Sequence, residues 1–152
     1  MTPSFCKARF LLTLMALNLA HQRGTLSTSY FRQLVTELSE IPGKVSKVLA
    51  YEDQIRFIAG EIKDRPNALY LGRGVNFPVA LEGALKLKEI SYSHAEGYPA
   101  AEMKHGPIAL IDAEMPVIVI ATNKSADEKL VSNIQEVKAR QGLVIAVVVE
   151  GD

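Results

Sequence analysis

Ala68-Leu69-Tyr70-Leu71-Gly72-Arg73-Gly74 is the stretch on which the fold turns. Four residues, mostly apolar, run unbroken into a glycine pair, the pattern of a buried strand entering a tight turn. Asn76 and Pro78 then suit a helix start, and the spacing predicts a helix over 78–91. Downstream the theme repeats. Pro116 to Ala121 (Pro-Val-Ile-Val-Ile-Ala) reads as a strand. Ser125 and Glu128 have capping-box spacing, and Leu130, Ile134 and Val137 mark one face of a helix that Gly142 ends. Leu143 to Val149 reads as a third strand. Strand runs without polar alternation, separated by amphipathic helices, predict an α/β fold: a parallel sheet with helices on both faces. Residues 93–112 read as irregular, with a short helix around Ala100 to Lys104 stopped by Gly106-Pro107.

Upstream of the deciding stretch, residues 1–64 read as helical. Leu11, Leu14, Met15 and Leu19 share a face, and Arg23-Gly24 suits a helix end. A second pattern, Leu34, Val35, Leu38 and Ile41, is expected to break at Pro42-Gly43 before Val45, Val48 and Leu49 resume it. Lys7 and Arg9 before the apolar run Phe10 to Leu19 also fit the outline of a secretory signal, and that run is too short to span a bilayer. Nothing downstream looks secreted, so a helix is the reading taken.

The 152 residues hold 17 basic and 17 acidic side chains, and this balance argues against a nucleic-acid or anionic-membrane partner. The one cysteine, Cys6, cannot close a disulfide within the chain, which favours a reducing, cytoplasmic setting. No metal-ligand spacing is present, and no cofactor is expected.

On a wheel over 78–91, Glu82, Lys86 and Glu89 fall within an arc of about 60° on an otherwise almost wholly apolar helix. Such a helix is expected to be buried, and three charges in one wedge of it should line a cleft or pair tightly. Lys86 can bridge both carboxylates, leaving one surplus negative charge suited to a general base. The competing explanation is an ion-pair ladder at a subunit contact. His105, at the end of the short helix before Gly106-Pro107, is a second candidate, as a proton donor or simply as a helix cap. His94 and His21 have weaker claims. Gly72-Arg73-Gly74 raises the question of a phosphate cradle, but it lacks the third glycine of the dinucleotide pattern and the Gly-Lys-Ser/Thr of a phosphate loop. A tight strand-to-helix turn explains it sufficiently.

Within Leu71 to Asp112, the runs Glu82-Gly83-Ala84-Leu85-Lys86-Leu87-Lys88-Glu89-Ile90-Ser91-Tyr92 and Glu102-Met103-Lys104-His105-Gly106-Pro107, with their separation, closely resemble the second sugar-isomerase (SIS) domain of the glutamine:fructose-6-phosphate aminotransferase (glucosamine-6-phosphate synthase) family. The resemblance implies a three-layer, SIS-type, flavodoxin-like sheet over residues 67–152, C-terminally incomplete. Residues 25–66 become a helical lead-in and residues 1–24 the terminal helix of a preceding SIS domain. It implies conversion of fructose 6-phosphate and glutamine to glucosamine 6-phosphate and glutamate by a homodimer. Glu89 would be the base that moves a proton between sugar C1 and C2. Lys86 and Glu82 would be its ionic partners, and His105 would help open the sugar ring in the neighbouring subunit's site. The family's Schiff-base lysine, phosphate loop and glutaminase nucleophile have no counterpart in these residues, so the chain alone is expected to be inactive. The alternative is a non-catalytic SIS module that binds a sugar phosphate or only dimerises.

Overall fold

The computed structural model describes residues 3–122 and 127–149. The chain divides into two compact units, Met1–Ile58 and Ala59–Asp152. The first holds α1 (Pro3–Gln22) and α2 (Thr28–Leu49), with α3 (Glu52–Ile62) running across the division. Gly24, at φ +66, follows the end of α1, and Ser27 caps α2 by accepting from the Tyr30 amide at 3.2 Å. The expected break at Pro42-Gly43 does not occur, because α2 runs through Pro42. Proline removes one helical donor and crowds the preceding turn. The helix nonetheless continues past it, and Ser46 Oγ donates to the Pro42 carbonyl at 3.0 Å.

The second unit is built on a sheet of four parallel strands in the order β2-β1-β3-β4: β1 (Asn67–Gly72), β2 (His94–Pro99), β3 (Pro116–Ala121) and β4 (Leu143–Val148). Two helices complete it, α4 (Phe77–Ser91) and α5 (Asp127–Ala139). The expected α/β class and parallel sheet are found, and the strand order is that of a flavodoxin-like doubly wound sheet. The strand period of two sorts the core into two layers. Leu69, Leu71, Val117 and Val119 point to one face, where Leu130 and Val137 of α5 meet them with Ala100 and Met103. Ala68, Tyr70, Ile118, Ile120 and Ile145 point to the other, beneath Ala84 and Leu87 of α4.

Two further expectations need correction. The sheet has a fourth strand, β2, within the stretch read as irregular. It is an edge strand that pairs only with β1, and its sequence His-Ala-Glu-Gly-Tyr-Pro has little strand propensity. What holds it is α4: a Cβ on Gly97 would stand 2.9 Å from the Leu81 Cα, so the helix backbone lies directly on the strand. The short helix expected around Ala100 to Lys104 is found, as the 3-10 helix Ala100–His105. Finally, α4 is not buried all round. Ala80 and Ala84 are buried, while Val79, Leu85 and Ile90 are exposed on its outer side. The capping box at Ser125 and Glu128 lies partly outside the described residues.

Candidate active site

β1 ends at Gly72, and a Cβ there would come within 2.3 Å of the Asn76 carbonyl oxygen, so the turn into α4 can be this tight only with glycine. Asn76 is buried and ties the turn to the next strand over: its Nδ2 donates to the Ile120 carbonyl at 3.4 Å, and Thr122 Oγ1 donates to its Oδ1 at 3.0 Å. These bonds stitch the carboxyl ends of β1 and β3 at the point where the strand order reverses. Sequence reasoning gave Asn76 only a helix-start role, since no local pattern announces a partner more than forty residues away. Its amide is committed to internal bonds, which favours the tight-turn reading of Gly72-Arg73-Gly74.

From that turn α4 runs back across its sheet face to the amino edge, where the His94 amide donates to the Pro66 carbonyl at 2.9 Å. The wedge comes together as its spacing required. Lys86 Nζ lies 2.6 Å from Glu89 Oε2 and 3.7 Å from Glu82 Oε1. The Lys86 pKa is raised, chiefly by its hydrogen bond to Glu89, so the ammonium stays charged at neutral pH. The triad pairs tightly. Glu89 has 51% of its side chain in solvent, which leaves it on an outward face rather than against packed core. A cavity of about 430 Å3 does open at the amino ends of β1 and β2 beside His94, Glu96 and Asp112, and no wedge residue lines it.

His105 is exposed at the end of the 3-10 helix that follows β2. That helix packs through Ala100 and Met103 into the layer on the opposite side of the sheet from α4. It starts at the carboxyl edge, where Pro99 aligns with Gly72. Glu89 stands twelve residues into α4, about 18 Å along that helix at 1.5 Å per residue. Within one chain Glu89 and His105 lie on opposite faces of the sheet. The structure brings Glu82, Lys86 and Glu89 together and leaves His105 apart. His94 sits on β2 with its Nε2 3.7 Å from Glu96, and the His21 ring stacks on Phe31 at 4.3 Å. No helix among the described residues is long and apolar enough to cross a membrane.

The chain is similar to a set of curated enzymes. It is 57% identical over 99% of its length to a glutamine–fructose-6-phosphate aminotransferase (isomerizing) of Bacteroides thetaiotaomicron. The figure is 58% over the same share for the enzyme of that name from Chlorobaculum tepidum. The chain spans only about a quarter of the length of these relatives, 25% and 24%. Among solved structures, it resembles the C-terminal domain of glucosamine-fructose-6-phosphate aminotransferase from Francisella tularensis, with a TM-score of 0.86 and 41% identity over 90% of this chain and 39% of that one. A putative phosphosugar isomerase of Clostridium difficile, at 20% identity and a TM-score of 0.77 over 89% of this chain and 38% of its own, shares the fold. The SIS domain model matches residues 61–152, which contain the whole sheet, the charged wedge and His105, and the chain belongs to the SIS domain family.

Proposed function

We propose that this chain supplies the second SIS domain of a glutamine-dependent fructose-6-phosphate aminotransferase, which makes glucosamine 6-phosphate in a cytoplasmic homodimer. The observation that carries this reading is the identity of 57% and 58%, over nearly the whole chain, to two aminotransferases of that name, in a segment that includes the wedge. In the proposed reaction Glu89 takes the proton from C1 of the open-chain aminated sugar and returns it to C2. The C1–H and O1–H bonds break as C1=O forms, the C2=N electron pair passes to nitrogen, and new C2–H and N–H bonds form, so C1 is oxidised as C2 is reduced and no outside oxidant is needed. Lys86, bonded to Glu89, keeps the carboxylate oriented and its negative charge compensated between the two transfers, with Glu82 as the second anchor of the ammonium. His105 delivers a proton to the ring oxygen as the cyclic sugar opens. Because Glu89 and His105 lie on opposite sides of one chain, a shared site requires His105 of one copy to face Glu89 of another.

The exposed apolar residues of α1, among them Phe10, Leu11, Leu12 and Met15, support residues 1–24 as the last helix of a preceding SIS domain that would cover them. Residues 25–66 act as the helical lead-in and 67–152 as the SIS domain proper. The outward, partly apolar face of α4 also fits the rival reading of a dimerisation module, in which the wedge is only an interface ladder. A graft separates the two. The 152 residues replace the aligned quarter of the Bacteroides thetaiotaomicron enzyme, and glucosamine 6-phosphate formation from glutamine and fructose 6-phosphate is measured. Turnover within about tenfold of the parent supports the reading, and the isolated chain should show none. A graft that assembles but makes no product refutes it.

A further inference from the structure

The corner that carries His105 has little of its own to hold it. The 3-10 helix Ala100–His105 has no side-chain cap, ends at Gly106 with φ +148, and buries only Ala100 and Met103. His105 is exposed, so its place depends on what fixes the backbone beside it. An ion pair reaches that backbone from another element: Lys104 Nζ lies 2.6 Å from Glu136 Oε1 on α5. Glu136 is the more sheltered partner, with 28% of its side chain exposed against 54% for Lys104. Its second oxygen, Oε2, is buried without a hydrogen-bond partner, and so is Oδ1 of Asn133 one turn earlier on the same face. A partly desolvated carboxylate with one oxygen unmatched depends heavily on the one ammonium it has. α5 itself is secured independently by Leu130 and Val137 in the core.

We infer that Glu136 is a positioning residue for His105. The α5 carboxylate grips Lys104 and, through the adjoining peptide, fixes where the imidazole stands on the outer surface. The proton donor therefore arrives at the neighbouring copy's sugar already oriented, although among the described residues its ring has no hydrogen bond or ion pair of its own. Removing the ammonium is the harsher change, since it strands the sheltered carboxylate, whereas removing the carboxylate lets Lys104 turn to water.

This inference rests on the ring-opening role proposed for His105, and its test is arranged so that the two can fail separately. In the grafted enzyme, Glu136→Ala should lower kcat about tenfold with KM within about twofold, a loss in keeping with a small misplacement of a reacting group. Lys104→Met should lose at least as much, and Lys104→Arg should keep most of the activity. In a His105→Ala background, Glu136→Ala should cost nothing further, because the effect runs through that imidazole. Backbone amides of residues 100–110 should exchange with deuterium about tenfold faster in Glu136→Ala, with β1 and β3 unchanged. Wild-type turnover in Glu136→Ala, an equal loss with and without His105, or unchanged exchange at 100–110 overturns the inference. If the unaltered graft makes no product, the proposed function has failed and the exchange measurement alone decides whether the clamp exists.

Discussion

At the residue scale the wedge on α4 separates what spacing dictates from what surroundings decide. Glu82, Lys86 and Glu89 had to meet, because residues three and four apart share a helix face, and Lys86 does bridge both carboxylates. Their solvent exposure was not legible, since it depends on what lies outside α4. A run of Val, Leu and Ile looks alike whether the cover comes from the same sheet or from another domain. The proposed chemistry separates Glu89 from its neighbours. Glu89→Gln keeps the size and a hydrogen-bond acceptor for Lys86 but cannot take a proton, so kcat in the grafted enzyme should fall by about 10^2 to 10^4, the usual range for losing a general base. Assembly, followed by sedimentation, should not change. An interface ladder would give the reverse, dissociation before any loss of turnover per intact dimer.

At the element scale, the strands legible in the sequence were those with unbroken apolar runs, β1, β3 and the less buried edge strand β4. β1 and β3 announce themselves through continuous apolar runs, because each has paired neighbours on both edges and helices over both faces. β2 has neither signal. It contains a glycine, ends in proline and carries His94 and Glu96, yet it pairs with β1 along its length. Tertiary contact overrides propensity here, through the close seat of α4 on Gly97. Pro42 shows the opposite error, a strong local breaker signal that the rest of α2 overrides. The account of β2 makes a paired prediction for thermal unfolding. Gly97→Ala places a methyl against Leu81 backbone and should destabilise the chain by about 1–3 kcal/mol. Gly60→Ala, in helix α3 where an added Cβ meets nothing within 4 Å, should stabilise it by about 0.5–1 kcal/mol. Equal effects at the two sites would mean that α4 does not hold the strand in this way.

At the scale of the whole molecule, the sheet poses a problem that one chain cannot solve. It separates the α4 layer from the layer that carries His105. No side-chain rotation closes that gap. If both residues serve one sugar, symmetry demands that each site borrow from a second copy, because in a two-fold dimer whatever one chain gives its partner it also receives. Two defective grafts then become a direct measurement. Coexpressed in equal amounts, Glu89→Gln and His105→Ala chains should form mixed dimers as half of the population. In each mixed dimer one site combines an intact Glu89 with an intact His105, and the other has lost both. Activity should therefore return to about a quarter of the unaltered graft, although each variant alone is nearly inactive. Residues that worked within a single chain would give no recovery, since every site in the mixture would lack one of them. The recovered fraction thus reports whether the acid and the base reach the sugar from different chains.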